Sequence, residues 1–141
     1  MKSNCYRWLN ILLVVMMGVC ILSCSKDDDK ETNSEKESLK GYWIHEDALN
    51  APKGFTGDFG RYFPGNGTVI TFHMDSNEKL ANKGSYNGHT FYYETPRSSR
   101  AVPYIINGKK LIINPTNNPE YCTITGSNSF VGSNGTWKRF K

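Results

Sequence analysis

The stretch Pro103-Tyr104-Ile105-Ile106-Asn107-Gly108-Lys109-Lys110-Leu111-Ile112-Ile113 decides the fold class. Two short apolar runs flank an Asn-Gly pair, and Pro115 closes the second run. Asn-Gly suits the centre of a type I′ turn, where both residues take positive φ and the turn twist matches that of antiparallel strands. A β-hairpin centred on Asn107-Gly108 is therefore expected. Three further Asn-Gly pairs, Asn66-Gly67, Asn87-Gly88 and Asn134-Gly135, punctuate the same segment, residues 41–141. Between them Thr68–Met74 alternates with period two, setting Ile70, Phe72 and Met74 on one face and Val69, Thr71 and His73 on the other. Similar runs occur at 41–46, 60–63, 84–86, 89–94, 121–125, 129–131 and 136–140, and no window makes an amphipathic helix. Many short strands at even spacing, joined by turns, predict an all-β barrel or sandwich.

Outward from this region the composition changes twice. At the N-terminus Lys2 and Arg7 precede the apolar run Ile11–Leu22, followed by Ser23 and Cys24. Basic, apolar and small residues in that order describe a secretory signal peptide, and the run is well short of the ~20 residues a spanning helix needs. Residues 25–40 then carry four lysines against six acids, with Leu39 the one large apolar side chain. Such a segment reads as a charged, disordered tether. The remaining residues, 41–141, hold eleven basic and seven acidic side chains scattered without a stripe, which excludes the footprint of a nucleic-acid binder. A chain of 141 residues with 13% aromatics has room for one domain with a core, not for a multi-domain enzyme.

Ile21-Leu22-Ser23-Cys24 resembles the lipobox of bacterial lipoproteins. The resemblance implies cleavage of residues 1–23 and acylation of Cys24, so that the protein meets a membrane through an N-terminal lipid. Several acyl chains anchor durably where one does not. Ser25-Lys26-Asp27-Asp28-Asp29 resembles the acidic export signal of surface-exposed lipoproteins in Bacteroidota, which implies the outer membrane and its outer leaflet; read as a plain acidic spacer, it leaves the protein facing the periplasm. Cys5 and Cys20 lie in the signal, so the mature domain keeps Cys122 alone, within the strand-like Tyr121–Thr125. A buried, inert thiol is expected there.

Gly41-Tyr42-Trp43 opening the first strand and Trp137-Lys138-Arg139 in the last resemble the small lipocalin-like lipoproteins of Bacteroidota. The resemblance implies an antiparallel up-and-down barrel of about eight strands. It also implies that Gly41, Trp43 and Arg139 close one end, with the guanidinium packed over the indole. The domain is shorter than a full lipocalin and has no C-terminal helix pattern.

Chemistry is sparse. His45, His73 and His89 lack helical spacing or a Cys partner, so no metal site is indicated. His73-x-Asp75 can orient an imidazole along a strand face, but no nucleophile motif accompanies it, nor does one surround Cys122. No enzyme and no cofactor are expected. Binding is the stronger idea. Phe55, Phe59, Tyr62 and Phe63 cluster in the Gly-rich stretch 52–67, and Phe91 and Tyr93 follow later. These six are the candidate ligand contacts, either for a small hydrophobic molecule or for a sugar ring. The opposing expectation is that they are core. A surface module that binds a protein partner, as accessory subunit or inhibitor, is the alternative function.

Overall fold

A computed structural model describes residues 28–141; the expected signal segment 1–23 and Cys24 lie outside the described residues. Ten strands follow a first helix α1 (Asp28–Leu39): β1 (Gly41–His45), β2 (Thr56–Phe63), β3 (Thr68–Asp75), β4 (Asn82–Tyr86), β5 (His89–Tyr93), β6 (Ala101–Asn107), β7 (Lys110–Ile113), β8 (Glu120–Gly126), β9 (Ser129–Gly132) and β10 (Gly135–Arg139). A one-turn helix α2 (Glu46–Leu49) joins β1 to β2. All pairings are antiparallel, and β1, β2, β3, β6, β7, β8, β9 and β10 close into an eight-stranded ring. The expected all-β, up-and-down barrel is therefore what the chain forms. Closure is made by β1 on β10, with Trp43 opposite Arg139 and His45 opposite Trp137.

The strands β4 and β5 stand outside the ring. The first half of β3 pairs with β6 through Thr68–Ile70, and its last residues, Met74 and Asp75, pair with β5 instead. The hairpin folds back over the outer face of β1–β3 and makes a second core there. Inside the barrel, Trp43, Phe63, Leu111, Phe130 and Trp137 head the packed side chains. Outside it, Ile44, Phe72, Met74, Phe91 and Tyr93 are buried together, with Tyr42, Tyr62, Phe55 and Phe140 packed against them. Period two explains the split: Tyr42 and Ile44 point away from Trp43, and Phe72 and Met74 away from Val69. The missing side chain of Gly60 makes room for Phe72, whose ring occupies the space a Cβ would fill, and Gly84 does the same under Phe91.

The two-residue turns meet expectation at one hairpin and are displaced by one residue at two others. Asn87-Gly88 is the two-residue turn the pattern predicts, with φ of 46° and 82°. At the hairpin that decided the fold class, Asn107 instead pairs with Lys110, and Gly108-Lys109 form the loop. With Asn107-Gly108 at the centre, Lys109 would sit opposite Ile106 and share its inward face. Moving the turn by one residue leaves Lys109 exposed and pairs Ile106 with Leu111. Only Gly108 then needs positive φ, 58°. The loop between β9 and β10 is likewise Ser133-Asn134, with Gly135 paired in the strand.

The charged segment before the barrel holds structure as well. Residues expected to be tether form α1, and its last turn belongs to the domain: Leu39 is buried in the inner core, two residues before the expected start at Gly41. Trp43 Nε1 donates to the Leu39 carbonyl at 2.9 Å. Arg139 donates to the carbonyls of Lys40, at 3.0 Å, and Ser38, meeting the free C-terminal carbonyls of the helix with a cation.

Candidate functional site

The barrel has two unlike ends. At the first, Arg139 lies 4.7 Å over the Trp43 ring while also holding the last turn of α1. Gly41 sits beneath the carbonyl of Lys141, where a Cβ would come within 2.5 Å, and Tyr42 N–H donates to that carbonyl. The structure thus brings Gly41, Trp43 and Arg139 together at a sealed end.

Across the middle runs an ion pair between residues far apart in the sequence. Arg61 on β2 meets Glu120 on β8 through two hydrogen bonds, one of them 3.3 Å. These strands lie four places apart either way around the ring, so the pair spans the barrel's diameter. The Arg61 guanidinium also lies 3.9 Å over the Trp137 ring. Buried charges persist only when paired and hydrogen-bonded, and here a planar guanidinium meets both a carboxylate and an aromatic face. Cys122, two residues from Glu120, is a buried free thiol; burial and then the Glu120 charge push its pKa up to about 12. It is no nucleophile.

Beyond Arg61, toward the other end, the interior opens. A pocket of about 290 Å³ is lined by His45, Phe59, Arg61, Thr71 and Trp137, with Asp47, Asp58 and Asn134 at its edge. Each strand delivers its inward residue here by alternation: His45 two places after Trp43, Thr71 two after Val69, Trp137 two before Arg139. A break in register between Gly57 and Gly60 swings Phe59 to the rim.

His45 is 5% exposed. Its Nδ1 accepts from the Asp47 backbone N–H at 3.3 Å, as the N-cap of α2. An accepting Nδ1 leaves the proton on Nε2 in the neutral ring. That Nε2 is buried and has no hydrogen-bond partner, and Trp137 Nε1, in a side chain also 5% exposed, is in the same position. The two rings meet edge to face with centroids 4.9 Å apart. Two adjacent N–H donors thus lack acceptors beside one pocket. Buried polar atoms without partners are rare, and each carries an uncompensated desolvation cost.

The expected aromatic contacts are distributed differently. Of the six candidates, Phe59 lines this pocket. Phe63 is buried in the inner core, Phe91 and Tyr93 in the outer one, and Phe55, Tyr62 and Phe59 itself pack against the outer core. Tyr93 also borders an outer groove of about 470 Å³, between the β4–β5 hairpin and the chain end at Phe140 and Lys141. His89 lines a further depression of about 230 Å³ beside α2. Neither holds one of the unpartnered buried nitrogens found among the described residues.

His73 and Asp75 part company. His73 lies 3.7 Å from Asp58 and 3.2 Å from Thr56 Oγ1. Asp75 accepts from the backbone N–H groups of Asn77 and Glu78 at 2.6 and 2.7 Å, and these bonds, that of Glu78 foremost, hold its carboxyl below the usual range. It fastens the turn after β3. Among the described residues no cluster of three or more His, Cys, Asp or Glu side chains is arranged to hold a metal.

The residues sequence reasoning missed are Arg61, Thr71 and Glu120. A signal for Arg61 existed: it shares the inward face of Phe63 by alternation, and a charge at a core position calls for a partner. Nothing local pointed to Glu120 as that partner, since 59 residues separate them. Comparison with protein-family models, with curated proteins and with solved structures finds no match to this chain.

Proposed function

We propose that this chain is the precursor of a lipid-anchored outer-membrane lipoprotein of the small lipocalin-like kind, whose barrel binds one small hydrophobic or glycan ligand at its mouth. The anchor rests on Ile21-Leu22-Ser23-Cys24, and surface display on the acidic run after Cys24. The binding function rests on one observation: the barrel is filled as far as the Arg61–Glu120 pair, and beyond it lies a pocket of about 290 Å³ lined by His45, Phe59, Arg61, Thr71 and Trp137. Small-ligand sites run from about 300 Å³ upward, which sets this one at the size of a single ring, not of an extended chain. No catalytic role is assigned to it.

A second reading has its own support. Ile105 and Tyr121 are exposed by 50% and 68%, and Ile112 stands between them in register across β6, β7 and β8. Such an apolar row on the outer wall suits a protein-interaction module.

Purification of the full chain from detergent-solubilised membranes separates the two. A co-purifying small molecule supports the ligand-binding reading; a stoichiometric protein partner, lost on Tyr121→Lys, supports the second. The anchor is tested by Cys24→Ala, which should leave an unprocessed, unacylated precursor. Normal processing and membrane retention of that variant would refute it. Protease added to intact cells should degrade a surface-exposed domain, whereas full protection would turn it toward the periplasm.

A further inference from the structure

We infer that the outer wall formed by β6, β7, β8 and β9 rests on an anionic lipid surface, with Ile105, Ile112, Tyr121 and Val131 set into the headgroup layer and Lys109 and Lys110 on its phosphates. This rests on the lipid-anchor reading, and it claims for the membrane the apolar row that the protein-interaction reading would use. Ile105, Tyr121 and Val131 are the exposed large hydrophobic side chains among the described residues, and all three lie on this wall. They are neighbours in register. Ile105 pairs with Ile112 and Ile112 with Tyr121; in the next row Lys110 pairs with Thr123 and Thr123 with Val131. On the opposite side of the barrel, the outward apolar residues of β1 to β3 are covered by the β4–β5 hairpin. Strands β7 to β9 pair only with their neighbours in the ring, and no such hairpin is laid over them.

Charge selects the occupant. Glu120 is the one acid between residues 95 and 141, and it points inward to Arg61. The wall therefore presents no carboxylate. Lys109 and Lys110 are exposed, and neither has a carboxylate within ion-pair distance among the described residues. Apolar and tyrosyl side chains flanked by lysines, with no acid between them, suit a bilayer interface: the apolar groups enter the headgroup layer and the ammonium groups meet phosphate.

The tether brings this wall to the membrane. Because the ring strands alternate in direction, the β6–β7 turn lies at the sealed end, as does the β2–β3 turn against which Lys36 of α1 packs. Tyr104 on β6 reaches α1 as well, its hydroxyl donating to the Lys36 carbonyl at 3.5 Å. The chain thus enters the barrel at the end that carries Lys109 and Lys110. The carboxylates at that end, Glu35 and Glu37, belong to α1 and not to the wall, and Glu37 is paired with Lys40 at 3.4 Å. From Cys24 to the buried Leu39 the chain spans at most about 50 Å, even fully extended. An acylated Cys24 therefore holds the domain at a high effective concentration over the surface, where a modest affinity of the wall is enough.

The test uses the full chain, expressed in a lipoprotein-processing bacterium with labelled isoleucine and valine methyl groups. It is mixed with bilayer discs of phosphatidylcholine alone, or of equal parts phosphatidylcholine and phosphatidylglycerol, each carrying a nitroxide-headgroup lipid. Intact mass reports acylation, co-elution reports binding to the discs, and paramagnetic broadening reports which methyl groups lie at the headgroups. On the anionic discs Ile105, Ile112 and Val131 should broaden while Ile44, on the hairpin side, stays sharp. The contrast should fade in about 0.5 M salt. Lys109→Gln with Lys110→Gln, at an exposed turn, should shift the ratio of docked to free wall toward free by about fivefold for each lysine. Acylated protein that co-elutes with the discs but shows no broadening difference between the wall and Ile44 overturns the wall inference and leaves the anchor reading standing. Unacylated protein whose wall still broadens on anionic discs overturns the anchor reading and upholds the wall. Neither acylation nor binding overturns both. Broadening that ignores phosphatidylglycerol, salt and the lysine changes overturns the anionic part of the inference. A wall silent toward lipid but shielded by a stoichiometric protein partner overturns the inference in favour of the protein-interaction reading.

Discussion

Arg61 is where the interior changes character. Below it lies an apolar core; at its own level two charges and an indole face meet; above it the barrel is open. Removing Glu120 would strand a cation with 11% side-chain exposure. Glu120→Ala should therefore cost about 3 kcal/mol, at the low end for a broken buried pair because neither partner is fully enclosed; chemical denaturation reads it directly. Replacing both residues, as Arg61→Met with Glu120→Leu, should recover most of that loss. At Asp75 the sign runs with acid. Its folded carboxyl is held below the ordinary aspartate range, chiefly by the Glu78 N–H, so its contribution is present above that range and is lost as the pH falls through the lowered value. Asp75→Asn should lower stability at neutral pH and flatten the acid limb of a stability–pH curve, the two proteins converging as the pH falls through the lowered value.

At the scale of elements, the β4–β5 hairpin is the addition that makes this barrel unlike a bare ring. It is joined to β3 by two residue pairs, so its attachment depends on the outer aromatic cluster more than on the ladder. Phe91 is fully buried there, edge-on to Phe140 with centroids 5.1 Å apart. Phe91→Ala should cost about 3–5 kcal/mol, and hydrogen exchange should show β4 and β5 losing protection before the ring strands do. Gly60→Val should also release the hairpin, because Phe72 occupies the space the new side chain needs. These strands, the ring strands and the Asn87-Gly88 turn were legible in the sequence, since alternation and turn chemistry are local. The one-residue displacement at Gly108-Lys109 was not, because it depends on which way Lys109 would face once a barrel interior exists. Helix α1 was not legible either. Its residues carry almost no apolar surface, and its last turn is fixed by Trp43 and Arg139 from the two ends of the domain.

For the whole molecule, closure ties the stability to groups that must stay protonated. Tyr104 and Cys122, both in the inner core, have pKa values pushed up to about 12 by burial, well above the ordinary range of a phenol or a thiol. The unfolded chain releases these protons near pH 9–10 and the folded one holds them, so stability should fall as the pH rises from about 9 toward 12. Cys122→Ala should remove the earlier part of that decline, seen as a smaller drop in denaturation midpoint between pH 8 and pH 10. In the native barrel Cys122 should resist alkylation at pH 8 and react on unfolding.

The sequence by itself determined that the domain is all-β, that its strands are short and joined by tight turns, and which residues share a face, because these follow from period two and from backbone sterics within a few residues. It also carried Ile21-Leu22-Ser23-Cys24 and the acidic run after it, the linear patterns on which the proposed lipid anchor rests. Tertiary structure alone decided which of two cores each aromatic enters, since Phe63 and Phe91 look alike in the chain and differ only in which side of the barrel wall they meet. It alone paired Arg61 with Glu120 across the ring and left His45 and Trp137 without acceptors beside an open mouth. Those relations join residues far apart in the chain, and they exist only once β1 has closed on β10.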